Sequence, residues 1–117
     1  ICLRFPCGAA REVISVNPDG TVYPCDGFKG ESSFKIGNIL DSNLLDMIKQ
    51  DWVQKLRNRE AKDIEKCSNC MFRAMCCSCC YSALGAFGDI YREDPHCLDR
   101  KKIFLFLISE WIKENLC

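Results

Sequence analysis

Cysteine dominates the chemistry of this sequence, because six of its eleven cysteines fall within residues 67–80. Cys67 and Cys70 form a C-x2-C pair, which puts two thiolates on one tight turn, close enough to bind the same metal ion or cluster. Cys76 and Cys80 are one helical turn apart and can share a face if the chain is helical there. The others in this stretch are Cys77 and Cys79, and those elsewhere are Cys2, Cys7, Cys25, Cys97 and Cys117. We interpret the chain as a scaffold for two sulfur-ligated inorganic centres.

Eleven cysteines in a chain of this length admit three explanations, namely a disulfide scaffold, zinc sites or iron–sulfur clusters. Disulfide domains usually carry an even number of cysteines, and adjacent residues such as Cys76 and Cys77 rarely bridge each other because the ring is strained. The sequence therefore favours metal-ligating thiolates, which suit a reducing compartment, and predicts a cytoplasmic protein. The alternative to cluster binding is a structural zinc module with all-cysteine sites that mediates protein interactions.

Length and charge narrow the classes of function. The 117 residues are the size of one domain, and we predict a single domain over residues 1–117. Lys plus Arg and Asp plus Glu number 16 each, so no net charge favours nucleic acid or an anionic membrane as a partner. The longest apolar run, residues 103–108, is far shorter than the roughly 20 residues that span a bilayer. Because the sequence opens on Ile1 and not on methionine, we expect a fragment of a longer chain.

The first element that must position the thiols is a β-hairpin. Residues 12–16 and 21–23 alternate between apolar and polar side chains as strands do. The sequence Asn17-Pro18-Asp19-Gly20 between them supplies a fixed φ, an Asx-type hydrogen bond and a position that tolerates positive φ, which together predict a turn. Cys7 and Cys25 lie at the two feet of this hairpin, so we expect it to bring the two thiols near each other.

Helices are predicted to follow the hairpin, which makes the chain a small cysteine-rich α+β domain. After a short extended piece at residues 34–39, Asp41 or Ser42 is predicted to cap a helix that runs to Leu56. Trp52 on that helix is interpreted as a core anchor rather than a substrate contact. The charged residues 58–66 are predicted to form a second, frayed helical segment that leads to Cys67.

The C-terminal part of the sequence is also predicted to be helical. A helical turn after Cys80 is expected to be broken by Gly85 and Gly88, and the turn at Asp94-Pro95 delivers Cys97. We expect His96, the only histidine, to lie at the surface or beside a site rather than to ligate a metal. An amphipathic helix is predicted from Leu98 to about Asn115, and its apolar side hints at docking onto a partner domain.

The whole layout resembles the SPASM domain, the C-terminal auxiliary-cluster module of a class of radical S-adenosylmethionine enzymes. The matching segments are Cys7-Gly8-Ala9, residues 13–17, Pro18-Asp19-Gly20-Thr21-Val22-Tyr23-Pro24-Cys25, Ile36-Gly37-Asn38-Ile39, the spacing Cys67-x2-Cys70-x5-Cys76-x3-Cys80, and the late Cys97. The resemblance spans nearly the entire chain. Its seven-cysteine spacing, together with the hairpin signature, is far more specific than a lone C-x2-C pair.

The resemblance implies two [4Fe–4S] clusters with separate sets of ligands. The first cluster would take Cys7, Cys25 and Cys80, with Cys2 as a plausible fourth ligand. The second would take Cys67, Cys70, Cys76 and Cys97. Each cluster would tie together segments that are distant in sequence, which a small core can hardly fix alone.

The sequence departs from the family pattern at two points. Where the family usually has glycines in a C-G-G-x-C stretch, this chain reads Cys76-Cys77-Ser78-Cys79-Cys80, and a cysteine at a site suited to glycine is strained if φ is positive there. We interpret Cys77 and Cys79 as packing residues, and Cys117 has no evident partner. The chain also lacks the C-x3-C-x2-C motif of a radical S-adenosylmethionine core. Cys76 and Cys80 have the first spacing of that motif, but the third cysteine would have to stand at position 83, which is Ala83.

The missing motif implies that this chain does not cleave S-adenosylmethionine alone. S-adenosylmethionine and a third cluster would bind only in an N-terminal barrel of the parent enzyme. The auxiliary clusters would accept or relay electrons for that enzyme. The resemblance implies a peptide- or protein-modifying enzyme, such as a peptide maturase or an enzyme that makes formylglycine in sulfatases.

Overall fold

The computed structural model describes residues 5–116, in which a three-stranded antiparallel sheet and short 3-10 turns are followed by α-helices. This is the α+β class that the sequence predicts. The chain divides into two units, an N-terminal unit, Cys7–Arg59, and a C-terminal unit that comprises Phe5, Pro6 and residues 60–116. The predictions for Cys2 and Cys117 lie outside the described residues.

The sheet consists of β1 (Ser15–Val16), β2 (Thr21–Tyr23) and β3 (Gly37–Asn38), which lie in that order. Val22 in the central strand is paired with Val16 on one side and Gly37 on the other. The predicted hairpin is thus confirmed, and a third strand extends it.

The turn of the hairpin has the predicted geometry. Gly20 has a φ of +83°, and the Thr21 N–H donates a hydrogen bond of 2.9 Å to the Asp19 carboxylate. The first strand is shorter than the predicted residues 12–16. Its beginning is folded into a turn instead, because the Gly8 carbonyl accepts hydrogen bonds from the N–H groups at residues 11–13.

Two helices, α1 (Leu44–Ile48) and α2 (Asp51–Asn58), replace the single predicted helix. Asn43, and not Asp41 or Ser42, caps the first, because its side-chain oxygen accepts the Leu45 N–H at 2.8 Å. The chain breaks between the helices at Gln50, whose side-chain amide donates to the carbonyl of Ile36 at 2.7 Å.

The core of the N-terminal unit lies between the sheet and these two helices. Trp52 is half-buried against it and makes an edge-on contact with Phe34, with ring centroids 6.0 Å apart, which agrees with its predicted role as an anchor. The buried members of the core are Ala10, Val22, Ile36, Met47 and Val53.

The C-terminal unit begins with two 3-10 turns, Ala61–Asp63 and Glu65–Cys67, where the sequence predicted a frayed helix. The helix α3 spans Cys80–Phe87 and therefore continues through Gly85, contrary to the prediction of a break there. It ends at Gly88, whose φ of +71° is the left-handed conformation common after a helix.

The last helix, α4 (Cys97–Asn115), matches the predicted one. Only Arg100 and Phe104 are buried among its described side chains, and Phe104 packs on Phe72 with ring centroids 5.5 Å apart. The apolar side of α4 is exposed at Leu98, Leu105, Phe106, Leu107, Ile108, Trp111 and Ile112. In the described part of the chain, no helix has both the length and the apolar character that a membrane-spanning segment needs.

Candidate metal centre

Four cysteines of the C-terminal unit line one cavity. These are Cys67, Cys70, Cys76 and Cys97, which are named the cavity thiols below. All four are free thiols and not disulfides. The apolar walls of the cavity come from Ala61, Phe72 and Phe104, and its charged wall comes from Arg73, Arg100 and Lys101. These are the same four cysteines that the resemblance assigns to the second cluster.

The local backbone explains how the first two thiols meet. Cys67 ends a 3-10 turn, and its carbonyl accepts the Cys70 N–H at 3.0 Å. This is the tight turn that the C-x2-C spacing predicts. Cys97 comes from far along the chain, as the first residue of α4.

The cavity thiols perturb one another. Burial raises the pKa of Cys67, and the sulfurs of Cys97, Cys76 and Cys70 raise it further, whereas a hydrogen bond from Ser78 opposes the rise. Burial likewise raises the pKa of Cys76, against a hydrogen bond from the backbone of Ser78 and the charge of Arg100. If all four thiols lost their protons, the sulfurs would repel one another, so a bound cationic centre would stabilise them.

A buried serine holds the loop that carries Cys76. Ser78 is 1% exposed and has a φ of +43°, so it lies in the left-handed region that favours glycine. Its backbone N–H donates to the Cys76 sulfur at 3.4 Å, and its hydroxyl oxygen accepts the Asp94 N–H at 3.1 Å. The sequence predicted such strain for a cysteine of this stretch, whereas the left-handed φ lies at Ser78.

Asp94 connects this loop to the start of α4. Its carboxylate accepts the Cys79 N–H at 3.1 Å and the His96 N–H at 2.8 Å. The same carboxylate forms a salt bridge with Arg100, whose Nε and Nη2 atoms each lie 2.7 Å from Oδ2. Asp94 and Arg100 are both only 2% exposed, so this ion pair is buried.

Ser78, Asp94 and Arg100 are the residues of this centre that the sequence reasoning missed. Asp94 was predicted only as part of a turn. An Asp shortly before a helix, here three residues before Cys97, is a recognisable signal for side-chain hydrogen bonds to that helix start. Arg100 lies one helical turn before Phe104 and on the same face, but only the packing of α4 shows that this face is buried.

The cysteines predicted for the first cluster are distributed over both units. Cys7 and Cys25 lie in the N-terminal unit, where the Ala10 N–H donates to the Pro24 carbonyl at 2.7 Å and so links the turn after Cys7 to the residue before Cys25. Cys80 is buried in the C-terminal unit. The assignment of these three residues and Cys2 to one cluster stays a prediction.

The remaining candidates are not part of the cavity wall. Cys77 is 2% exposed, as expected for a packing residue, and Cys79 is half-buried. His96 is exposed, as predicted. Across residues 5–116, no three His, Cys, Asp or Glu side chains are grouped as a site for a single metal ion.

The donor set fits an iron–sulfur cluster. Thiolates are soft ligands, which iron–sulfur centres use, and the backbone N–H of Ser78 supplies the kind of hydrogen bond to sulfur that tunes such centres. The cavity encloses about 20 Å³. The fit to a cluster therefore rests on the chemistry of the sulfur donors and not on the volume of the cavity.

Comparison with known proteins points to iron–sulfur chemistry for the family, and the matched region includes Cys67 and Cys70. Residues 7–71 match the profile of the family described as SPASM, an iron–sulfur cluster-binding domain. The chain is also 34% identical over 105 residues to an uncharacterized protein of Archaeoglobus fulgidus. That match covers 89% of this chain and 25% of the relative, so the chain spans about a quarter of the length of the relative it matches.

Proposed function

Because the chain belongs to the SPASM family of iron–sulfur cluster-binding domains, we propose that it holds two auxiliary [4Fe–4S] clusters for a radical S-adenosylmethionine enzyme. Such clusters supply one-electron transfer, and ligation by four thiolates leaves no coordination position open. The proposed role is therefore to accept or relay electrons during peptide or protein modification. The observation that carries the proposal is the single cavity that all four cavity thiols line.

The second cluster is proposed to be held by the cavity thiols. Cys67 and Cys70 come from one tight turn, whereas Cys97 comes from the start of α4. Ligation would therefore tie the loop region of the C-terminal unit to its longest helix. Phe72 and Phe104 exclude water from one side of the cavity, which strengthens electrostatic interactions within it.

The first cluster is proposed to be held by Cys7, Cys25 and Cys80, with Cys2 as the fourth ligand. This assignment rests on the resemblance of the cysteine spacing to the family. It is supported by the hydrogen bond from the Ala10 N–H to the Pro24 carbonyl, which links the turn after Cys7 to the residue before Cys25. A Cys2→Ala variant that keeps both clusters would overturn the role of Cys2.

The reaction of the whole enzyme is proposed to involve other parts of a longer protein. No C-x3-C-x2-C motif is present in the 117 residues, so cleavage of S-adenosylmethionine is assigned to a separate barrel with its own cluster. That barrel is the proposed partner, and the exposed apolar side of α4 is a surface that could pack on it. The proposed substrate is a peptide or protein, and the proposed compartment is the reducing cytoplasm.

Substitution of one cavity thiol tests the second cluster. The chain should be reconstituted with iron and sulfide under anaerobic conditions, as wild type, Cys97→Ser and Cys79→Ser. We expect Cys97→Ser to lose about four irons per chain, the content of one cubane cluster. Cys79→Ser is the matched control, because Cys79 is a free thiol that does not line the cavity, and it should keep all of its iron.

Equal iron content in the two variants would remove Cys97 from the ligand set. A wild-type protein that binds no iron in this reconstitution but binds stoichiometric zinc when zinc is supplied would favour the structural zinc module instead.

A further inference from the structure

The cavity thiols share their cavity with a buried cation. Arg100 is 2% exposed and lines the cavity, whereas its partner Asp94, equally buried, does not. Arg100 thus presents the positive charge of the pair at the cavity wall, and the Asp94 carboxylate acts on Cys76 more weakly and in the opposite direction. A buried charge is screened by solvent much less than a surface charge.

The position of this cation is fixed by backbone hydrogen bonds. The Asp94 carboxylate accepts the N–H groups of Cys79 and His96, which belong to the loop and to the start of α4. Two guanidinium nitrogens of Arg100 then bind the same carboxylate oxygen, each at 2.7 Å. The guanidinium is therefore anchored to a carboxylate that backbone N–H groups hold in place.

We propose that Arg100, held in place by Asp94, raises the reduction potential of the cluster that the cavity thiols bind. The inference rests on the proposed function. Reduction adds one negative charge to a centre that four thiolates already surround, and a fixed positive charge in its wall favours the reduced form. Net charge and hydrogen bonds around the sulfurs are among the features that set such potentials.

The charges that face Arg100 are consistent with this role. Burial alone would lower the pKa of Arg100, but Cys77, Asp94 and Cys76 more than offset it, so that the pKa is raised. The charge of Arg100 acts on Cys76 in turn, where it offsets part of the rise that burial causes in the pKa of that thiol. Arg100 is therefore a positioning residue that acts on the centre through space and is not one of its ligands.

The test is the midpoint potential of the reconstituted chain, followed by electron paramagnetic resonance. The signal that is lost in a Cys97→Ser sample is assigned to the cluster that the cavity thiols bind. For Arg100→Gln we expect that centre to become harder to reduce, with an equilibrium constant on the order of tenfold lower, equivalent to about 59 mV for a one-electron couple. The matched control is Lys102→Gln, which removes the same charge from an exposed position of the same helix and should leave the potential unchanged.

Two further variants separate charge from packing. Arg100→Lys keeps the charge but not the forked contact with Asp94, so we expect the potential to stay close to the wild-type value even if the protein is less stable. Asp94→Asn removes the negative end of the pair and should shift the potential upward. If Arg100→Gln does not assemble its cluster, the reduction potential of Asp94→Asn tests the proposal in its place.

An Arg100→Gln protein with an intact cluster and an unchanged potential would overturn the inference and leave the proposed function standing. An Asp94→Asn potential that is unchanged or lower would do the same. If the wild-type chain assembles no cluster at all, both the proposed function and this inference fail.

Discussion

The hydroxyl oxygen of Ser78 accepts a hydrogen bond of 3.1 Å from the backbone N–H of Asp94. This bond joins the loop after Cys76 to the turn before Cys97, two segments that each deliver a cavity thiol. Ser78 makes it from a left-handed backbone conformation, with a φ of +43°. The resemblance places a family glycine at this position, so the hydroxyl compensates here for a conformation that glycine would adopt at no cost.

The compensation by Ser78 can be measured with two substitutions. Ser78→Ala keeps the backbone strain and leaves the buried Asp94 N–H without its acceptor, which costs about 1–3 kcal/mol. Ser78→Gly loses the same bond but relieves roughly 1–2 kcal/mol of left-handed strain. Urea unfolding of the iron-loaded protein should therefore rank both wild type and Ser78→Gly above Ser78→Ala. An alanine variant as stable as the wild type would show that the bond to Asp94 contributes nothing.

The cap of α1 gives a second prediction. Asn43 accepts the Leu45 N–H at 2.8 Å, and Asn43→Ala should lower the free energy of unfolding by about 1 kcal/mol. Ser42→Ala is the control, because Ser42 is also a good cap residue but precedes the position that caps the helix. We expect it to change stability by less than about 0.5 kcal/mol. If Ser42→Ala lowered the free energy of unfolding more than Asn43→Ala in denaturant unfolding, Ser42 would be the cap.

Alanine substitutions at three glycines distinguish the cost of backbone strain from the cost of steric crowding. A Cβ at Gly20 would lie 2.5 Å from the Asn38 side-chain oxygen, at a φ of +83°. Gly30 has a similar φ of +88° but open space around it, so Gly30→Ala should cost only the backbone strain, about 1–2 kcal/mol. Gly20→Ala should cost more. Gly85→Ala, in the open interior of α3, should stabilise the chain by roughly 0.5–1 kcal/mol.

The thermal unfolding midpoints should follow the same order, with Gly85→Ala highest and Gly20→Ala lowest. Equal destabilisation by Gly20→Ala and Gly30→Ala would mean that Asn38 yields to the added methyl group.

Two phenylalanines of α4 test which side of the helix is structural. Phe104 is 4% exposed and lines the cavity, whereas Phe106 is 60% exposed. Phe104→Ala should destabilise the chain by about 3–5 kcal/mol and reduce iron retention, since it opens the cavity wall. Phe106→Ala should change stability by less than about 0.5 kcal/mol. A large loss for Phe106→Ala would indicate that this side of α4 is covered within the 117 residues.

Local sequence signals predicted the hairpin well. Asn17-Pro18-Asp19-Gly20 specifies its turn through the side chains and backbone of the turn itself, and the structure shows that turn. The cap of α1 was misplaced because Asp41, Ser42 and Asn43 are all good caps, and only the folded backbone selects among them. The break at Gln50 depends on a hydrogen bond to Ile36, which lies in a different element.

The cysteine spacing led to the cavity thiols, but not to the residues around them. The resemblance named Cys97 as a partner of Cys67, and the structure places both in one cavity. The pair of Asp94 and Arg100 had no such signal, because an acidic and a basic residue six positions apart are common on protein surfaces. Its burial follows from how α4 packs, which no local pattern determines.

The most direct test of the account is the iron, sulfide and zinc content of the anaerobically reconstituted chain, recorded with its visible spectrum. Two cubane clusters require about eight irons per chain and a similar amount of sulfide, and they give the broad absorbance near roughly 400 nm of thiolate-ligated clusters. A colourless protein that holds stoichiometric zinc and no sulfide would contradict the account, and a structural zinc module would then describe the chain.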